Sequence, residues 1–151
     1  MNLKMKYYST LIMSVKRSSI GGVNNNAKFY LLLSIFDGIE KHLINDNRIF
    51  FSEKLADIYK STSERYEQNK NVTPMQYPFF HLKNDEFFYL TFKFHNIIFR
   101  KTVIAKFIRD NIEYASFDNA LWNLLQDTEN RNYYKELIIE KFLRQKDKYL
   151  W

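Results

Sequence analysis

The chain has 151 residues, a length that fits one domain, and its net charge of +6 suits a polyanionic partner. It contains no cysteine, which excludes disulfides and thiolate metal sites and is compatible with a cytoplasmic protein. With 14 Phe, 11 Tyr and 2 Trp, rings are far more frequent than in an ordinary globular chain. Most must serve a core, and the remainder would offer stacking or apolar contact surface.

Residues 6–17 place Tyr8, Leu11, Ile12 and Val15 at helical spacing, which predicts a short amphipathic helix ending before Gly21-Gly22. The stretch from Ser18 to Asn26 is turn material, and Asn26 is positioned to cap the next helix. Lys16, Arg17 and Lys28 bracket this loop. They read either as a solvated rim or as a phosphate contact at a helix start, where free N–H groups favour anions.

Residues 27–43 carry apolar side chains around much of a helical circumference and predict the central helix of the core. Asn45-Asp46-Asn47 stops it, and residues 48–51 form an extended lead into Ser52, an N-cap for a helix over about 53–67.

Tyr77-Pro78-Phe79-Phe80-His81-Leu82-Lys83-Asn84-Asp85-Glu86-Phe87-Phe88-Tyr89-Leu90 concentrates rings, a proline and a histidine. Its pattern predicts a β-hairpin, residues 79–82 against 87–92, turning at Asn84-Asp85. Within it Phe79, Leu82, Phe88 and Leu90 are candidate core, leaving Tyr77, Pro78, His81 and Lys83 to meet a ligand. Residues 101–113 follow a helical pattern. Asp118 can cap a helix through Leu121 to Leu125, and Asp127 or Thr128 opens a last helix through Phe142, followed by a charged tail. The resulting fold class is α+β and mostly helical, with about five or six helices around a small antiparallel hairpin or sheet.

No catalytic constellation emerges. His42, His81 and His95 have no metal-ligand spacing, neither the P-loop nor the dinucleotide fingerprint occurs, and no cofactor is indicated. A His81–Asp85 acid–base pair can be drawn across the turn, but a single histidine at such a position more often satisfies a carbonyl or a phosphate. The longest apolar run is about eight residues against the roughly 20 that span a bilayer, so no membrane partner is expected.

The order of a basic Gly-containing loop, Ala27-Lys28-Phe29-Tyr30, Asn47-Arg48-Ile49, Tyr77-Pro78-Phe79 with Leu82-Lys83-Asn84-Asp85, and Phe117-Asp118-Asn119-Ala120-Leu121-Trp122 spans nearly the whole chain. It resembles the N-terminal, non-catalytic region of bacterial HNH (McrA-like) restriction endonucleases, related to the domain that binds the sulfur of phosphorothioate DNA. The resemblance implies a single DNA-recognition domain over residues 1–151, lacking the HNH nuclease, with double-stranded DNA as partner. It implicates Tyr77 and Pro78 in an apolar sulfur-receiving surface and Lys28 in a phosphate contact; Arg17, His81 and Lys83 complete the candidate set. The family's usual His-Lys/Arg-Pro at the helix start is Ala27-Lys28-Phe29 here, and His81 stands where sulfur-binding members have a small residue. Sulfur and other DNA features therefore both stay open as the thing recognised. The second reading is a protein-interaction module whose aromatic hairpin docks on a separate nuclease subunit, since aromatic residues and Arg are enriched at interface cores.

Overall fold

The structure is a computed structural model and describes residues 2–68, 71–94 and 103–144. His95 and the charged tail after Arg144 lie outside the described residues.

Helix α1 spans Leu3–Met13, a turn earlier than the sequence predicts, because the Asn2 side chain accepts from the Met5 N–H at 2.8 Å and starts it. It buries Met5, Tyr8 and Ile12. The chain then leaves the helical path, and Asp85 accepts the Lys16 N–H at 2.8 Å. The turn segment folds as a minimal hairpin, β1 (Ser19–Ile20) against β2 (Val23–Asn24). Gly21 and Gly22 supply φ of +60° and +79°, the left-handed backbone that a two-residue hairpin turn needs at both central positions.

Helix α2, Ala27–Glu40, is the centre of the core: Phe29, Leu31, Leu32 and Ile35 are fully buried, and it touches three other helices. It ends sooner than the predicted residue 43. The Gly38 carbonyl accepts from both Leu43 and Ile44, and His42 takes a φ of 59°. A Cβ on Gly38 would lie 2.8 Å from Ile44 Cδ1, so the Ile44 side chain packs directly on this glycine and would have to shift for a larger residue. Asn26 does not cap α2 with its side chain; the Asn25 side-chain Oδ1 accepts the Ala27 N–H instead. Helix α3, Glu53–Tyr66, starts as expected, with Ser52 Oγ accepting the Leu55 N–H.

The expected aromatic hairpin is not formed. Residues Gln76–His81 make a short helix, α4, continued by a 3-10 turn at Leu82–Asn84. Pro78 falls in the first turn, where the missing N–H has no intrahelical partner to lose. Only the second arm is a strand, β3 (Phe88–Phe92), reached through Glu86 at φ 41°. Its partner is β4, Ile112–Phe117, in antiparallel register with Phe88 opposite Phe117 and Leu90 opposite Ala115. The predicted helix over 101–113 is correspondingly shorter, α5 (Ala105–Asn111), and its last apolar position, Ile112, begins β4. Ile49 adds a bridge on the other edge, exchanging both backbone hydrogen bonds with Ala115. Asn47 extends it by clamping both the N–H and the C=O of Phe117 at 2.9 and 2.8 Å.

Helices α6 (Asn119–Leu125) and α7 (Thr128–Ile138) form the expected helical pair, and α7 runs into a π-helical turn at Ile139–Leu143. Asp127 caps α7 by accepting from Glu129 and Asn130 N–H. Asp118 does not cap α6 with its carboxylate, which instead accepts from Tyr8 Oη at 3.1 Å and Tyr89 Oη at 2.7 Å, tying α1 to β3. The class is α+β and mostly helical, with seven α-helices among the described residues.

Candidate nucleic-acid interface

The hairpin after α1, the start of α2 and the helix α4 enclose one groove of about 600 Å³. Lys16, Arg17, Lys28, Asn25, Thr73, Asn84, Ala27, Tyr77, Pro78 and His81 line it. Five of the six residues singled out from the sequence therefore meet, although Arg17 and His81 are 64 positions apart in the chain. Lys83 is the exception. It sits on the 3-10 turn with its ammonium 4.9 Å from the Phe80 ring centre and does not line the groove.

One wall is apolar. Pro78 is buried and Tyr77 half-buried, both presented by the first turn of α4, beside buried Ala27 at the start of α2. The opposite rim is cationic and stiffly held. The Arg17 guanidinium lies 4.9 Å from the centre of the Phe142 ring and 5.7 Å from that of Phe29, rings that stack at 4.2 Å. It also donates to Asn26 Oδ1 at 2.8 Å. Partial burial lowers its pKa, an effect that leaves a guanidinium charged at any physiological pH. Asn25 fixes the loop with its side-chain amide, Nδ2 donating to Thr73 Oγ1 at 2.9 Å and Oδ1 accepting the Ala27 N–H.

The floor is less basic than the sequence suggests. Lys28 Nζ sits 2.6 Å from Asp85 Oδ2, with the two side chains only 14% and 3% exposed, and Asp85 Oδ1 takes the Lys16 N–H. The two carboxylate oxygens are thus engaged by the groove's own elements, and the acid–base pairing with His81 is not formed. His81 is exposed at the surface, yet partial desolvation, then the charges of Lys28 and Lys83, hold its pKa below the usual imidazole value. It presents a neutral ring at pH 7, able to donate one hydrogen bond.

Sequence reasoning missed Asn25, Thr73 and Asn84 as lining residues and misplaced Asp85. Asn25 carried a signal in the Asn24-Asn25-Asn26 run ahead of α2, because such residues bond their own backbone two positions on. Nothing local marks Thr73 or the Lys28–Asp85 pair, which bridges 57 positions.

Among the described residues no group of acidic or histidine side chains could hold a metal ion, and no helix is long and apolar enough to cross a membrane.

No protein-family model matches the sequence and no curated protein does. Among solved structures, the chain superposes over 89% of its length, with a TM-score of 0.70 and 15% identity, on one described as the sulfur binding domain and SRA domain of ScoMcrA complexed with phosphorothioated DNA. It spans 42% of that chain. Likeness at this identity establishes the shared fold.

Proposed function

We propose that this chain is a non-catalytic DNA-binding module, the reader of a restriction or phage-defence system, that takes a duplex backbone into the groove between Lys16–Lys28 and Tyr77–His81. The observation that carries this reading is the convergence of Arg17, Lys28, Tyr77, Pro78 and His81 on one groove. The shared fold with a domain described in complex with phosphorothioated DNA supports it. Arg17 and Lys16 supply phosphate contacts from the rim, Lys28 lines the floor paired with Asp85, and Lys83 steers from outside the groove. Tyr77 and Pro78 form the surface against which a modified backbone atom rests. A soft, weakly hydrated sulfur loses little on contact with a pyrrolidine ring, whereas a phosphate oxygen gives up its water. Any cleavage comes from another domain or a partner subunit.

The competing interaction-module reading needs an exposed aromatic hairpin. Phe79, Leu82, Phe87 and Phe88 are instead fully buried, which favours the groove as the functional surface. The test is titration of plain, phosphorothioate and base-modified duplexes at two salt concentrations. On this reading the logarithm of affinity falls with that of salt by about 0.9 per phosphate contacted. An affinity independent of salt, or none in low salt, contradicts it.

A further inference from the structure

A buried carboxylate directly behind a groove meant for a polyanion calls for a physical account. Asp85 lies at the end of the 3-10 turn with its side chain 3% exposed, and Lys28 points at it from the first turn of α2. The 2.6 Å contact makes a close ion pair. Seen from the groove, the pair has almost no net charge, so the Lys28 ammonium does not act on an incoming phosphate as an independent cation. The uncompensated positive charge lies on the rim, with Lys16 and Arg17, while the floor beside Tyr77 and Pro78 is electrically level.

Resting on the function proposed above, we infer that Asp85 is a specificity-determining positioning residue: by pairing with Lys28 it keeps the groove floor from attracting every phosphate oxygen and leaves the choice of backbone atom to the apolar wall. An ammonium is a compact, strongly hydrated charge that pairs with any phosphate oxygen. Released from Asp85, Lys28 would pair best with a strongly hydrated phosphate oxygen and so help plain DNA more than phosphorothioate DNA. Held by Asp85, it leaves a floor suited to a ligand atom that needs little hydration. Asp85 also fixes the Lys16 N–H, so one side chain sets both the rim's position and the floor's charge.

Two variants separate this from a merely structural role. Asp85→Asn retains an oxygen to accept the Lys16 N–H but frees the Lys28 charge. The double variant Lys28→Met/Asp85→Asn keeps the volumes and returns the floor to neutrality, the kind of replacement that buried ion pairs tolerate. Both are titrated with plain and phosphorothioate duplexes across salt, with thermal unfolding as the check on folding. Asp85→Asn should steepen the salt slope by about 0.9, one additional phosphate contact. Its preference for the phosphorothioate duplex should shrink by about fivefold, the scale of one unit charge about 4 Å away in water. The double variant should show the wild-type slope. An unchanged slope in Asp85→Asn overturns the inference, as does a double variant whose slope is shallower by one contact, since Lys28 would then reach phosphate despite its partner. If Asp85→Asn fails to fold, the double variant's slope decides. A wild type that binds no duplex removes the DNA reading itself and this inference with it, an outcome distinct from either of the others.

Discussion

The Arg17 guanidinium lies 4.9 Å from the centre of the Phe142 ring, joining a loop after the first helix to the last turn of the described chain. Phe142 in turn stacks on Phe29 inside α2, so the cation on the rim is aimed by a column of rings rooted in the core.

That column predicts a division between Phe142 and Arg17 variants. Phe142→Leu should cost about 1–2 kcal/mol of stability, from lost ring stacking and a small void, and should weaken DNA binding severalfold by releasing the guanidinium. Arg17→Lys should keep the salt slope while losing affinity, because a lysine keeps the charge but not the planar stack or the fixed donor to Asn26. Denaturant unfolding and salt-dependent titration of both variants check this.

Pro78→Ala should leave affinity for plain duplex and the salt slope close to wild type while removing any preference for phosphorothioate. The substitution touches the apolar wall and none of the cations. Paired titrations of the two duplexes provide the comparison; equal loss on both would assign Pro78 to general binding.

His81 gives the site a pH dependence whose sign follows from its environment. Desolvation and the charges of Lys28 and Lys83 hold its pKa below about 6.5, the value expected in the unfolded chain. As pH falls below that value the unfolded chain takes up the proton first, so this group's contribution to stability is lost on acidification and is fully present above it. A bound phosphate reverses the bias by favouring imidazolium. Affinity should therefore rise between pH 7.5 and 5.5 in the wild type, and His81→Gln should remove both the added affinity and this part of the stability change. Binding and melting curves over that range decide it.

Asn47 holds the end of β4 in the manner of a neighbouring strand, with both of its amide atoms on the Phe117 backbone. Asn47→Ala leaves a partly buried N–H and C=O without partners and should cost roughly 1–3 kcal/mol. Asn47→Asp keeps the acceptor and loses the donor, and should fall between the two in a urea titration.

The groove was partly legible in the sequence because its residues are chemically distinctive. Lys28 and Arg17 flank a Gly- and Asn-rich turn, and Tyr77-Pro78 opens a ring-dense stretch. Helices α2 and α3 were legible for related reasons: apolar positions around the whole circumference of one, a serine cap and a single apolar stripe on the other. The aromatic stretch misled because Tyr and Phe favour strands and Asn-Asp favours turns, whereas burial of Phe79 and Phe80 on α4, which packs on α2, selects a helix there. Strand β4 misled for another reason. It lies between β3 and Ile49 and is partly covered on both faces, so Ile112, Ala115 and Phe117 do not alternate cleanly, and Ile112 extends the helical spacing of Ile104 and Ile108. The Lys28–Asp85 pair is a product of the tertiary fold, and no local pattern encodes it.

We propose that the groove between Arg17 and Pro78 takes a DNA backbone. The most direct measurement is the equilibrium affinity of the wild-type chain for matched plain and phosphorothioate duplexes at low and physiological salt. Binding should weaken steeply with salt on both, at about 0.9 per phosphate contact, with the phosphorothioate duplex held more tightly. Affinity that does not respond to salt, or no binding of either duplex at low salt, would contradict it.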